Sequence, residues 1–188
     1  TASDVCPEIR EYERFTTTVV NSYIKPLMSR YLKKLDSELK QKRFNCPLLL
    51  MTSGGTLTNV TSACNNPVRL VESGPAGGAI LATSIAEDLK LDKVISFDMG
   101  GTTAKITIIE NQKAIKAREF EVDRKARFKK GSGLPLRIPV IEMVEIGAGG
   151  GSIARVNKLD QIITGPDSAG SNPGPACYSN GGDNPTIT

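Results

Sequence analysis

Asp98 closes the apolar run Val94-Ile95-Ser96-Phe97 and is followed by Met99-Gly100-Gly101-Thr102-Thr103, an order of residue types suited to phosphate and a metal ion. Glycine lets a backbone approach a ligand closely, threonine hydroxyls donate to phosphate oxygens, and a carboxylate holds Mg²⁺ directly or through water. Val94 to Phe97 reads as a buried strand and Ile106-Thr107-Ile108-Ile109 as its return partner, so the glycines and threonines between them are the turn. An ordinary glycine-rich hairpin with Asp98 capping the turn accounts for the same residues, and this segment alone does not choose between the two.

Three other junctions repeat this chemistry. Pro47-Leu48-Leu49-Leu50-Met51 reads as a short strand that empties into Thr52-Ser53-Gly54-Gly55-Thr56. Pro67 to Glu72 leads in the same way into Ser73-Gly74-Pro75-Ala76-Gly77-Gly78, and Ala79 to Leu89 follows as a small-residue helix with its start at Gly74-Pro75. Ile138 to Ile146 runs into Gly147-Ala148-Gly149-Gly150-Gly151-Ser152. In α/β sheets ligands gather outside the carboxyl ends of strands, so these junctions are expected to share one nucleotide cleft. Gly149-x-Gly151-x-x-Ala154 superficially fits a dinucleotide fingerprint, but Arg155 to Asp160 reads as a hairpin where that fingerprint opens a long helix. Lys105 is either a further phosphate contact or an exposed residue of an alternating strand.

Much chemistry is excluded. The chain contains no histidine, so imidazole acid–base catalysis, serine or cysteine triads and histidine-based zinc sites cannot be assembled from it. Cys6, Cys46, Cys64 and Cys177 form no Cys-x-x-Cys pair, which indicates neither a zinc ribbon nor a disulfide framework and suits reduced, cytoplasmic thiols. No apolar run reaches the ~20 residues a membrane span needs, so no membrane association is expected.

The elements that position these residues follow from periodicity. Tyr12, Phe15, Val19, Tyr23, Leu27, Tyr31, Leu35 and Leu39 make one apolar helical stripe, expected to serve as core or subunit packing. Pro26 interrupts it, which predicts a kink or two abutting helices over 8–25 and 26–42. Ala114 to Val122 and Ile138 to Ile146 are expected strands, separated by basic residues and a Gly131-to-Pro135 turn. The 188 residues carry a net charge of +4, concentrated in Lys113 to Lys130, where eight basic residues face three acids. Lacking any nucleic-acid motif, that segment is read as a solvated or subunit-facing loop, with no nucleic-acid partner. The whole is one domain or a fragment of a larger protein, with a helical segment 1–45, an α/β core 46–164 and a Gly/Pro-rich loop region 165–188.

Taken together, Arg10-Glu11-Tyr12-Glu13-Arg14, Ser53-Gly54-Gly55-Thr56, Glu72 to Gly78, Phe97 to Thr103, Glu145 to Ser152 and Gly165 to Gly170 resemble the hydantoinase A/5-oxoprolinase family in family order. The resemblance implies a lobe of the actin-like ATPase fold, shared with acetate and sugar kinases and heat-shock ATPases, with N-terminal helices and a mixed β-sheet. It also implies ATP and Mg²⁺, with Asp98 as the catalytic and metal residue. Gly100, Gly101, Thr102, Thr103, Ser53, Gly54, Gly55, Thr56, Gly147, Gly149, Gly150, Gly151 and Ser152 would be the nucleotide contacts. The implied activity is ATP-dependent activation of a small cyclic amide for ring opening, or ketone carboxylation, completed by a hydantoinase B-type subunit in a hetero-oligomer. A non-catalytic nucleotide-binding or assembly module remains open.

Two departures from the family pattern stand out. Relatives begin with another Asp-Val-Gly-Gly-Thr-type loop that nothing before Asp98 supplies, so the chain is read as the central portion of a two-lobed protein, unable alone to complete an ATP site. Glu142-Met143-Val144 stands where some relatives carry Asp-x-His, so no metal role is carried onto Val144.

Overall fold

The computed structural model describes residues 1–126, 129 and 131–188; Arg127, Phe128 and Lys130 of the basic segment lie outside them. A short helix α1 (Ala2–Val5) precedes the long helix α2 (Glu11–Gln41). The expected break at Pro26 does not occur, and α2 runs through it as one helix. The carbonyl that Pro26 leaves without a helical donor is that of Ser22, which is exposed and open to water. Packing on both sides of Pro26 holds the helix together: Val20 and Ile24 join a core of Val68, Leu136, Ile138 and Val140, while Met28 meets Leu32, Ala63 and Cys64.

Those contacts correct the core half of the expectation for this stripe, core or subunit packing, and leave the subunit-packing half open. Thr17, Asn21 and Leu32 are the buried residues of α2. Tyr12, Phe15, Val19, Tyr23, Leu27 and Tyr31 are all more than half exposed, Tyr23 reaching 85%. Two apolar stripes run side by side along this helix, offset by one residue, and the chain buries the one made of smaller side chains.

Asn21 shows how closely that inner face is specified. Its side chain donates to Asn65 O at 3.1 Å and accepts from the buried Val68 N–H at 3.2 Å. Asn21→Ala strands both groups, and chemical denaturation is expected to show a loss of about 1–2 kcal/mol.

After α2 the chain forms the hairpin β1 (Leu49–Met51) and β2 (Leu57–Asn59), then α3 (Val60–Asn65). Pro67–Leu70 is a 3-10 turn rather than the expected strand. Helix α4 (Ser73–Asp88) begins one residue before Gly74-Pro75, with Glu72 as its N-cap in the left-handed region at φ 62°. The central hairpin pairs β3 (Lys93–Met99) with β4 (Ala104–Glu110), in the register Val94↔Ile109, Phe97↔Ile106 and Met99↔Ala104. The strand expected over 114–122 is three pieces, β5 (Lys113–Ala114), β6 (Lys116–Ala117) and β7 (Phe120–Val122).

The second half closes these pieces. Leu134–Leu136, read from sequence as part of a turn, is strand β8 and pairs with β7. The strand expected over 138–146 divides at Glu142-Met143 into β9 (Val140–Ile141), paired with β6, and β10 (Val144–Ile146), paired with β4. β11 (Ser152–Val156) and β12 (Ile162–Ser168) form the expected hairpin after the glycine loop, and β12 carries strand structure into the region read as loop from residue 165.

The protein is therefore a mixed α/β structure whose largest sheet has the order β10-β4-β3, with β5 also on β4 and α4 packed on β3. Among the described residues every strand pairing is antiparallel. Ser53 to Thr56 and Gly100 to Thr103 are thus hairpin turns and Gly147 to Gly151 an inter-strand loop, while Ser73 to Gly78 is the first part of α4; none is the carboxyl end of a parallel strand. No helix of the described residues is long and apolar enough to cross a membrane.

Candidate functional site: the Asp98 turn and two flanking cavities

Residues paired across antiparallel strands share a face, so Asp98, Lys105 and Glu145 stand in one row across β3, β4 and β10, on the face that α4 covers. Glycine 78 of α4 lies over Asp98: a Cβ added there would sit 3.5 Å from Asp98 Oδ2. Asp98 itself is exposed and accepts no hydrogen bond from any described residue. Beyond it, Gly100 N–H donates to Thr103 O at 2.9 Å and tightens the turn. The N–H groups of Gly101, Thr102 and Thr103 find no acceptor among the described residues, and neither threonine hydroxyl is engaged.

The second glycine loop fixes this turn in place. Gly150 N–H donates to Gly100 O at 2.9 Å and Gly151 N–H to Gly101 O at 2.8 Å. Gly149 lies so close that a Cβ there would be 2.6 Å from both Thr102 N and Thr102 C. The loop is held in turn by Ser152, whose buried Oγ accepts from Gly149 N–H at 3.0 Å. Of the residues expected at a nucleotide, Gly149, Gly150 and Gly151 are thus brought to the Asp98 turn, with Ser152 bracing them, while Gly147 lines the large cavity described below. The N–H groups of Gly150 and Gly151 are spent on carbonyls, which leaves the turn itself as the donor surface.

Ser53-Gly54-Gly55-Thr56 has a different place. The Ser53 N–H and Oγ both donate to Arg69 O at 2.8 Å, and Ser53 O accepts from Ile141 N–H at 2.9 Å. Thr52 and Thr56 share a 2.9 Å hydroxyl contact. Gly55, at φ +75°, packs against Ile80 and Ile141, where a Cβ would lie 2.7 Å from Ile80 Cδ1. This turn lines a cavity of about 280 Å³ with Asn66, Arg69, Lys116 and Pro139. Sequence reading missed Arg69 and Lys116 because neither belongs to a glycine motif.

A second cavity, of about 530 Å³, is lined by Glu72, Lys105, Glu119, Glu121, Arg124 and Glu142 among others, and reaches Gly147. Lys105 Nζ is bound by Glu72 and lies 3.7 Å from Glu145, and its side chain is only 13% exposed. The pair pins the left-handed Glu72, and with it the start of α4, to the central hairpin. A double-mutant cycle of Lys105→Met and Glu72→Gln should return a coupling of about 1 kcal/mol, small because both partners keep some solvent contact.

Glu121 in this cavity and Cys6 outside it have shifted acidities. The Gly131 N–H, donated to Glu121 at 2.7 Å, holds that carboxyl below the usual glutamate range, with Arg124 adding attraction. Burial pushes the Cys6 thiol up, which keeps it protonated and unreactive.

Asp98 is a single carboxylate, since no group of three or more metal-ligating side chains occurs among the described residues. One carboxylate with water and phosphate oxygens is the donor set Mg²⁺ accepts beside a phosphate chain, so the residues fit that ion.

The hydantoinase/oxoprolinase family model matches residues 14–188. An uncharacterized protein of Methanocaldococcus jannaschii is 47% identical over 100% of this chain and 28% of its own length. The caprolactamase alpha subunit of Pseudomonas jessenii is 36% identical over 98% of this chain and 25% of its own. Among solved structures, nucleotide-free acetone carboxylase superposes with a TM-score of 0.77 at 26% identity, over 99% of this chain and 25% of that one. The chain spans about a quarter of the length of these relatives. It belongs to the hydantoinase/oxoprolinase family.

Proposed function

We propose that this chain is the phosphate-gripping part of a longer, two-lobed enzyme of the actin-like ATPase fold, which uses ATP to activate a cyclic amide for ring-opening hydrolysis. One observation carries the reading. Three unclaimed N–H groups, on Gly101, Thr102 and Thr103, stand beside an uncommitted Asp98 carboxylate on a turn that a second loop holds rigid. Phosphoryl transfer needs positioning and charge neutralisation more than covalent chemistry, and such donors provide both without histidine. The backbone amides and the Thr102 and Thr103 hydroxyls would donate to the phosphate oxygens. Asp98 would hold Mg²⁺, which when bound neutralises charge on the transferring group. The caprolactamase relative, described as ATP-dependent in its crystal structure, supports a cyclic amide as substrate.

The fold similarity to acetone carboxylase favours a second reading, in which the activated group is a ketone carbonyl that is then carboxylated. In both readings a hydantoinase B-type subunit completes the enzyme in a cytoplasmic hetero-oligomer. The full-length protein, co-expressed with such a subunit, should hydrolyse ATP faster when given hydantoins, 5-oxoproline or caprolactam. Stimulation only by a ketone with bicarbonate would select the carboxylase, and no stimulation by any of these would defeat both.

A further inference from the structure

We infer that the cavity beneath the Ser53–Thr56 turn is a site for a small oxyanion, a carboxylate or a phosphate, separate from the Asp98 turn. The cavity holds about 280 Å³, near the lower end of the range for small-molecule pockets. Its lining contains no carboxylate and two cationic residues, Arg69 and Lys116. Thr58, Ser62 and Asn66 add two hydroxyls and a side-chain amide.

None of these five side chains has a hydrogen-bond or ion-pair partner among the described residues. Ser62, Arg69 and Lys116 are exposed and Thr58 and Asn66 half-buried, so all five keep donors free for a solute that enters the space they line. Arg69 is also held from behind, because its backbone carbonyl accepts both donors of the buried Ser53. Two cations and neutral donors with no competing acid make a positive field whose complement is a compact anion.

The cavity is divided from the acidic one by the β6–β9 pair. Lys116 and Pro139 line the small cavity, whereas Ala117, Val140 and Ile141 line the large one. Charge therefore changes sign across a single pair of strands. A cation would be drawn to the large cavity and an anion to the small one. Nothing in this inference depends on where the nucleotide binds.

Isothermal titration of the full-length protein with inorganic phosphate and, separately, with acetate tests the assignment and distinguishes the two sources. Saturable binding of either anion is expected, weakened about tenfold or more by Arg69→Gln with Lys116→Gln, each removing a charge-assisted contact. Both residues are exposed, so the variants should melt like the native protein. Thr58→Val with Ser62→Ala offers a second, uncharged probe and should weaken binding by a smaller factor. Absence of binding to both anions, or binding indifferent to Arg69 and Lys116, would overturn the inference.

Discussion

Replacing Asp98 with asparagine should lower Mg²⁺-dependent ATP turnover by the full-length enzyme by at least about 100-fold in kcat, with little change in melting temperature. The asymmetry follows from where Asp98 stands. It is exposed, accepts no hydrogen bond from the described residues and has no ion-pair partner among them, so the fold does not depend on its charge. Asparagine keeps its shape and its strand pairing with Lys105. What is lost is one negative charge beside three unclaimed N–H groups, the position from which a carboxylate can share a cation with a phosphate chain. If the defect lies in metal binding, raising Mg²⁺ should recover part of the rate, and Asp98→Glu should retain more than Asp98→Asn. Near-native turnover of Asp98→Asn would show that the carboxylate has no part in the chemistry.

Gly149→Ala should have the second largest effect, and by a different route. Its new Cβ would meet backbone atoms, Thr102 N and C at 2.6 Å and Gly100 O at 2.7 Å, none of which can swing aside as a side-chain tip can. Either the glycine loop withdraws, breaking the Gly150–Gly100 and Gly151–Gly101 hydrogen bonds, or the Asp98 turn shifts with it. The expected cost is about 3 kcal/mol in denaturant unfolding, at the upper end of ordinary overpacking because the obstacle is backbone. Nucleotide affinity should fall as well, since the donors of the turn move. Gly101→Ala is the matched control. Nothing lies within 4 Å of a Cβ at that position, so it should leave stability close to native.

The contrast between these glycines bears on what can be read from residues alone. The central hairpin was legible because its cues are local: alternation on both sides, a Gly-Gly-Thr-Thr turn, and strand lengths that fix the register Val94↔Ile109. The hairpin after the glycine loop was legible for the same reason. Helix α2 was legible as a helix but not in its orientation. Stripes offset by one residue have the same period, and only the distant partners Val68 and Leu136 decide that Val20 and Ile24 turn inward.

The site was legible in part for related reasons. That a glycine loop follows Ile146 could be read from composition. That Gly149 exists to let Thr102 approach could not, because the contact joins segments far apart in sequence. A strand emptying into glycine looks alike in a parallel sheet and in a hairpin, so sequence does not show that Ser53 to Thr56 lines a cavity with Arg69 and Lys116. Of the two readings of Lys105, the exposed strand residue is corrected: its side chain is 13% exposed and pairs with Glu72 and Glu145.

The most direct measurement is a structure of the full-length protein with Mg²⁺ and a non-hydrolysable ATP analogue. The terminal phosphates should lie within hydrogen-bond distance of the Gly101, Thr102 and Thr103 amides, with the metal at the Asp98 carboxylate directly or through one water. Nucleotide bound elsewhere, with those three amides facing only solvent, would contradict the assignment of this turn.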